Sequence, residues 1–255
     1  MMKIYLINLE ESRHRRELME CQLRQLQLDY EIVPAVNGHR LGESDIATLC
    51  VVESVRRYPD WLTPGAIGAA LSHRDALRRL AEEDRRCGLI LEDDIILPSN
   101  LPAILDQLES SCREDELILL YWLSDEVQPF QKESAVMIDQ RHRLAISNRP
   151  QSLLSAVGYV VGRSVARRII EINTPVRVTS DLWASFLAGG AMTQIRCVVP
   201  SPIGLANLPS DIGYGRQHFL RRIKRWLEIR LPLFQRLSAR RREEYFSKRQ
   251  KYTWV

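Results

Sequence analysis

The sequence predicts an α/β domain built on a mostly parallel central sheet, and three observations carry that expectation. Short, β-rich apolar runs alternate with segments of helical periodicity along most of the chain. Cap and turn residues bound these segments, with no low-complexity linker between them. One apolar run closes on three consecutive carboxylates, Glu92, Asp93 and Asp94. Sheets of this class bind ligands beyond the carboxyl ends of their strands.

The elements follow in order. "KIYLINL" (3–9) reads as a buried strand, and Ser12 is placed to cap a helix over about 13–27, with Leu18, Cys21 or Gln22, and Gln25 or Leu26 near helical spacing. "YEIVPAVNG" (30–38) reads as a second strand that ends in a turn at Asn37-Gly38. In "TPGAIGAALSHRDALRRLAEED" (63–84), Thr63 takes the N-cap and Pro64 the first helical position, both favoured there. Ile67, Ala70, Leu71, Leu77, Leu80 and Ala81 give that helix its buried face. The strand "GLIL", the acidic cluster, a helix near 101–109 and the strand "ELILLYWL" (116–123) come next. Residues 124–150 are polar and mixed, a hairpin of "AVMID" and "RLAIS" or else a mobile loop. "SAVGYVVG" (155–162) resumes a strand and "RSVARRIIEI" (163–172) a helix. A capped helix over 178–190, stopped by Gly189-Gly190, and a last strand over 192–200 complete the pattern.

The 255 residues carry ordinary proportions of hydrophobic (45%) and charged (27%) residues, which places the chain among globular proteins able to bury a large core. No apolar stretch is long enough for a transmembrane helix, and the start has too short an apolar run for a signal peptide. The five cysteines are odd in number and form no CxxC pair, which argues against a zinc site or disulfide framework and for a reducing, cytoplasmic setting. The net charge of +4 is unevenly placed: residues 216–255 hold thirteen Lys or Arg against three Glu, a balance of +10 that leaves residues 1–215 at −6. The expected organisation is therefore a mildly acidic body over 1–215 and a basic amphipathic tail over 216–255. In the tail, Phe219, Ile223, Trp226 or Leu227, and Arg230 keep helical spacing up to Pro232. Such a segment can lie on an anionic membrane surface or pack on the body as a helix.

Crowded like charges raise one another's pKa unless a cation sits among them. Hard divalent cations prefer carboxylate oxygens and often bind through one or two of them together with substrate phosphates. The bland alternative is that the three acids cap the next helix or face water. Their context is more specific. "IYLINLEESRHRR", "PAVNG", "GAIGAALSH", "LILEDDI" and "GYVVGRSVARRI", in this order, resemble the family 25 glycosyltransferases, which include bacterial lipopolysaccharide galactosyltransferases and collagen-modifying enzymes. The resemblance covers roughly residues 2–200 and is stronger up to Asp94 than after it.

That resemblance implies inverting transfer from a UDP-sugar, commonly UDP-galactose, on a GT-A-like nucleotide-sugar-binding fold with Mn²⁺ or Mg²⁺. It implies a lipopolysaccharide, lipooligosaccharide or other surface-glycan acceptor. With the basic tail, it implies a peripheral place on the inner face of the cytoplasmic membrane. Asp94 is the expected direct metal ligand. Glu92 stands beside it as a ligand, and Glu92 and Asp93 are expected to reach the metal or ribose through water. Asn8, Arg15 and Arg16 follow the first strand, where base, ribose or phosphate would lie, and arginine matches phosphate geometry. His73, in "LSH", is expected to touch the donor phosphate or orient a carboxylate. Asp181, in "TSDLW", is the expected base for the acceptor hydroxyl, or a helix cap, and Trp183 beside it a sugar platform or a core residue. The chain departs from the family pattern at Ala69, where cysteine is common, and in "SAVGY", which keeps only Gly158 and Tyr159 of its stretch. Two other classes stay open: a non-catalytic relative serving adhesion or scaffolding, and a nucleic-acid binder using the basic tail. No helix-turn-helix, RRM or zinc-finger signature supports the latter, so no nucleic-acid partner is expected.

Overall fold

The structure is a computed structural model that describes residues 2–206 and 244–255. Along the chain run β1 (Lys3–Asn8), α1 (Arg13–Gln25), β2 (Tyr30–Pro34), α2 (Glu43–Leu49), α3 (Val52–Arg57), α4 (Pro64–Glu82), β3 (Cys87–Glu92), β4 (Ile95–Ile96), α5 (Leu101–Ser111) and β5 (Glu116–Leu119). There follow β6 (Gln128–Phe130), β7 (Val136–Met137), β8 (Arg143–Ile146), β9 (Gly158–Gly162), α6 (Arg163–Ile172), α7 (Trp183–Ala188), β10 (Gln194–Val199), β11 (Gly204–Leu205) and β12 (Tyr252–Trp254).

Eight strands form the central sheet in the order β2-β1-β3-β9-β5-β10-β8-β7. β1 is parallel to β2 and β3, and β5 to β10, while β9 runs antiparallel to both β3 and β5. The two parallel groups therefore point the same way, and their C-terminal ends share one edge. This mixed sheet, mostly parallel at its core, is consistent with the GT-A-like expectation. Both faces are covered, which is why the strands read as unbroken apolar runs. Tyr5, Ile7, Ile90, Leu117 and Tyr159 pack under α4, α6 and α7, whereas Ile4, Leu6, Leu89, Ile118 and Val160 pack under α1 and α5.

Thr63 caps α4 as expected, its Oγ1 accepting from the Ala66 N–H at 3.3 Å. The close approach of α4 to the β2 loop depends on two glycines. A Cβ on Gly38 would sit 1.6 Å from the Pro64 carbonyl oxygen, and one on Gly68 would sit 2.5 Å from that of Val36. Ser72 locks the contact by accepting from the Val36 N–H at 2.8 Å and donating to the Gly68 carbonyl at 2.6 Å.

Several elements differ from expectation. The strand over 116–123 stops at Leu119, and the following residues turn inward as buried side chains up to Ser124. The helix expected over 178–190 is confined to Trp183–Ala188. Before it, the Asn173 carboxamide oxygen accepts from the Arg177 and Val178 N–H groups, and Thr179 donates to Asp181 at 2.7 Å. Such local bonds offer the backbone an alternative to the helix. The hairpin alternative for 124–150 is the one found, as β7 and β8. Helices α2 and α3 had no expectation attached to them; Asp45 accepts from the Gly42 N–H at 2.8 Å at the start of α2.

The helix expected between Phe219 and Arg230 lies outside the described residues. The end of the tail is described and is a strand: β12 pairs in parallel with β6. Main-chain bonds flank that pair, from Ser124 N–H to Arg249, Gln128 N–H to Lys251 and Lys132 N–H to Val255, each 2.8 Å. Trp122, Phe130, Tyr252 and Trp254 form one aromatic cluster, and the Arg143 guanidinium lies over the Trp254 ring. Deleting 244–255 would uncover Phe130 and Trp122, which are now fully buried. The expected loss is about 2–3 kcal/mol of stability, from aromatic area returned to water. A urea melt of the truncated protein coinciding with that of the full chain would show that β12 contributes nothing.

Candidate functional site

The groove at the C-terminal edge of the sheet is assembled from five elements. Leu9 follows β1, Ala35 to His39 follow β2, α4 presents Ala69, Ser72 and His73, and Glu92, Asp93 and Asp94 end β3. Arg15 reaches in from the first turn of α1. The groove's inner part holds about 90 Å³ and opens to solvent.

Each acid has a different partner. Asp93 is buried, pairs closely with the Arg15 guanidinium, and accepts from Asn8 Nδ2 at 2.6 Å. Burial pushes its carboxyl above the usual range, while the Arg15 charge and the Asn8 hydrogen bond pull it down. Glu92 accepts from His73 Nε2 at 3.0 Å, and His73 Nδ1 lies 3.0 Å from the Tyr159 hydroxyl. Burial, and then the Glu92 charge, raise the Tyr159 pKa well above that of an ordinary phenol. The phenol therefore stays protonated and donates to Nδ1, which leaves the Nε2 hydrogen for Glu92. Asp94 stands apart. Its Oδ2 lies 3.6 Å from Arg15 and its buried Oδ1 has no hydrogen-bond partner among the described residues. Burial, followed by the charge of Glu92, pushes its carboxyl up to about 7 against the pull of Arg15.

One guanidinium cannot balance three carboxylates, and the orphaned Asp94 oxygen is where a further cation fits. Among the described residues no three His, Cys, Asp or Glu side chains are grouped to hold a metal by themselves. The donor set suits a hard cation that takes one or two carboxylates and completes its shell from substrate oxygens and water. Asp94, with Glu92 beside it, would hold Mn²⁺ or Mg²⁺ on those terms.

Of the residues singled out from sequence, Arg15, His73, Glu92, Asp93 and Asp94 line the groove together. Asn8 supports it from behind, tied to Asp93 and to the Ser12 carbonyl. Arg16 points elsewhere and pairs with Glu20 at 3.1 Å. Asp181 does not line the groove; its neighbours Ser180 and Trp183 face a second small cavity on the far side of His73. Trp183 is buried and donates from its indole N–H to the Ser155 carbonyl at 2.9 Å, which makes it a core residue and not a sugar platform. Both His73 ring nitrogens are engaged, so its geometry is that of a side chain orienting Glu92. Sequence reasoning missed Tyr159 as the partner of His73 and attached no role to Ala69, which faces the groove. Only the "GYVVG" and "GAALSH" matches pointed at those positions.

Fold and site together define an α/β protein with a carboxylate-lined groove where its parallel strands end. Residues 1–184 match the model of glycosyltransferase family 25 (LPS biosynthesis protein), and the chain belongs to that family. It is 31% identical over 130 residues to procollagen galactosyltransferase 1-A of Xenopus laevis, covering 46% of this chain and 21% of that protein. It is 26% identical over 182 residues to human procollagen galactosyltransferase 2, covering 67% and 28%. It is 30% identical over 141 residues to human inactive glycosyltransferase 25 family member 3, covering 52% and 23%. The chain thus spans between a fifth and three tenths of the length of these curated relatives.

The displaced Asp94 carboxyl has a consequence for stability. An aspartate whose folded pKa lies above its unfolded value of about 4 is protonated in both states at low pH. The stability this permits is present below about pH 4 and is lost as pH rises through about 7. In metal-free protein, Asp94→Asn is therefore expected to be neutral at pH 4 and stabilising at pH 8, by an amount on the order of 1–3 kcal/mol. Thermal melts in chelator across that range check it, and a pH-independent difference would contradict the charge account.

Proposed function

We propose that the chain is a glycosyltransferase that moves galactose from UDP-galactose, with Mn²⁺ or Mg²⁺, to a saccharide acceptor on lipopolysaccharide or another surface glycan. The observation that carries this reading is the buried, partnerless Asp94 oxygen among three carboxylates at the strand edge. Family membership and the galactosyltransferase relatives support the transfer chemistry and the choice of sugar. Relatives named as inactive make activity a matter for direct test.

When bound, the metal supplies Lewis-acid stabilisation of the departing diphosphate. The side chains do the rest. Arg15 brings a fixed positive charge to the groove and pairs with Asp93, pulling that carboxyl's pKa down against the effect of burial. Asn8 holds Asp93 from the other side. The chain Tyr159–His73–Glu92 fixes the Glu92 carboxylate at the groove wall, so that Glu92 and Asp94 meet the donor without first reorganising. Preorganisation of this kind is where electrostatic catalysis gains most.

Calorimetry with UDP, with and without Mn²⁺, tests the reading. Asp94→Asn keeps the side-chain shape and loses the charge. It is expected to weaken Mn²⁺-dependent UDP binding by more than about 100-fold, since even supporting residues of metal sites are worth 10–100-fold. Wild-type affinity in that variant would refute the metal assignment.

The basic stretch 216–255 is proposed to hold the enzyme against an anionic membrane surface, at about 1 kcal/mol per basic residue near the lipid. The support is its charge of +10 and the interleaved Phe219, Trp226 and Phe234. Flotation of the full chain on anionic vesicles is expected at low ionic strength and should fade as salt screens the exposed charges. Recovery no better than on neutral vesicles would remove the membrane from the account.

A further inference from the structure

A second cleft lies on the same edge of the sheet, about 410 Å³ in volume, between the start of α5, the loop before β8 and the turn after β10. Its lining includes Asn100, Asp139, Arg141, His142 and Ser201, flanked by Pro98 and Pro202. His142 is the chemically distinctive member. Its side chain is only 8% exposed, and its Nδ1 lies 2.8 Å from Asp139 Oδ2. Asp139 also accepts from the His142 N–H at 2.7 Å and from Asn100 Nδ2 at 2.9 Å. Burial works against ionisation of Asp139, but the His142 ring and the backbone N–H groups of Arg141 and His142 outweigh it and hold the carboxyl down to about 2. With Asp139 ionised, Nδ1 donates to it, and Nε2 has no hydrogen-bond partner among the described residues and is left for a ligand.

The cleft's chemistry restricts its ligand. The one acid and the one guanidinium of its lining cancel, which disfavours phosphate or a cation. Apart from Pro98 and Pro202 its lining side chains all carry polar groups, which suits a guest with both polar and apolar faces better than a purely apolar one. Donors and acceptors of neutral type remain, the set that hydroxyl groups satisfy.

Its position is equally specific. β4 and β11 form an antiparallel ribbon that begins at the groove, where the Ala206 N–H donates to the Asp94 carbonyl at 2.7 Å. The ribbon's other end runs out into Pro98 on one strand and Pro202 on the other, both lining the cleft. Pro98 follows Asp94 by four residues, so their Cα atoms are at most about 14 Å apart. A saccharide whose reacting end lies in the groove would reach the cleft with a sugar further along its chain.

We propose that this cleft binds a distal sugar of an oligosaccharide acceptor, with His142 Nε2 hydrogen-bonded to one of its hydroxyls. The proposal rests on the donor-groove reading for its register, and the experiment separates the two. The full chain, with UDP and Mn²⁺, is applied to an array of neutral mono- to tetrasaccharides, alongside calorimetry with UDP alone and with Mn²⁺. Retention on particular di- or larger saccharides, with monosaccharides failing, is expected. His142→Gln should weaken that retention about five- to tenfold, the scale of one unmade hydrogen bond, and Ser201→Trp, which fills the cleft from its rim, should abolish it. An array left blank while UDP binds would overturn the cleft alone. Retention unchanged in both variants would overturn it too. Saccharide retention that the variants lose, in a protein that does not bind UDP, would sustain the cleft and overturn the donor reading.

Discussion

Three carboxylates sharing the end of one buried strand with a single guanidinium set the terms for the rest of this edge of the molecule. Arg15 pairs closely with Asp93 and reaches Asp94 Oδ2 only at 3.6 Å, which leaves Asp94 Oδ1 without a partner among the described residues. Glu92 is instead tied to an imidazole. The protein has distributed its few counter-charges so that one carboxylate oxygen is left wanting a cation. A group in that state disfavours the folded chain when ionised and would be relieved by a nearby cation.

The fold holds those charges in place by close packing more than by loops. The interlock of Gly38 and Gly68 lets α4 run against the β2 loop, and Ser72 fastens it there. That contact fixes the depth at which His73 enters the core, where it meets Tyr159 on β9 and Glu92 on β3. A larger residue at either glycine would collide with main-chain atoms, which cannot step aside, and would lift α4 away from the carboxylate it orients. β9 matters for the same reason: running antiparallel between β3 and β5, it brings Tyr159, near its start, against the inner side of His73.

The end of the chain closes the opposite side of the sheet. β12 completes β6, and Gln250 donates to the Trp122 carbonyl and to Ser201, a residue of the second cleft. The basic stretch that reads as an appendage in sequence is thus anchored at its far end to the body.

The sequence by itself determined the α/β class, the helix start at Thr63, the positions of most apolar runs that form strands and the acidic strand end. These are local: periodicity, capping chemistry and charge lie in contiguous residues. It also brought forward Arg15, His73, Glu92, Asp93 and Asp94, because matched motifs marked them. Tertiary structure alone decided which of the three acids is left unpartnered, since Arg15 and His73 are distant in sequence and choose among the acids by position. It alone placed Arg16 on an outer ion pair and Asp181 outside the groove. The shortened α7 shows why: the side chains of Asn173 and Thr179 capture backbone and Asp181, and helical pattern does not register that competition. The antiparallel β9 was equally invisible, because the apolar run of a strand buried on both faces looks the same in either direction, and only the path of the preceding loop sets which way it runs.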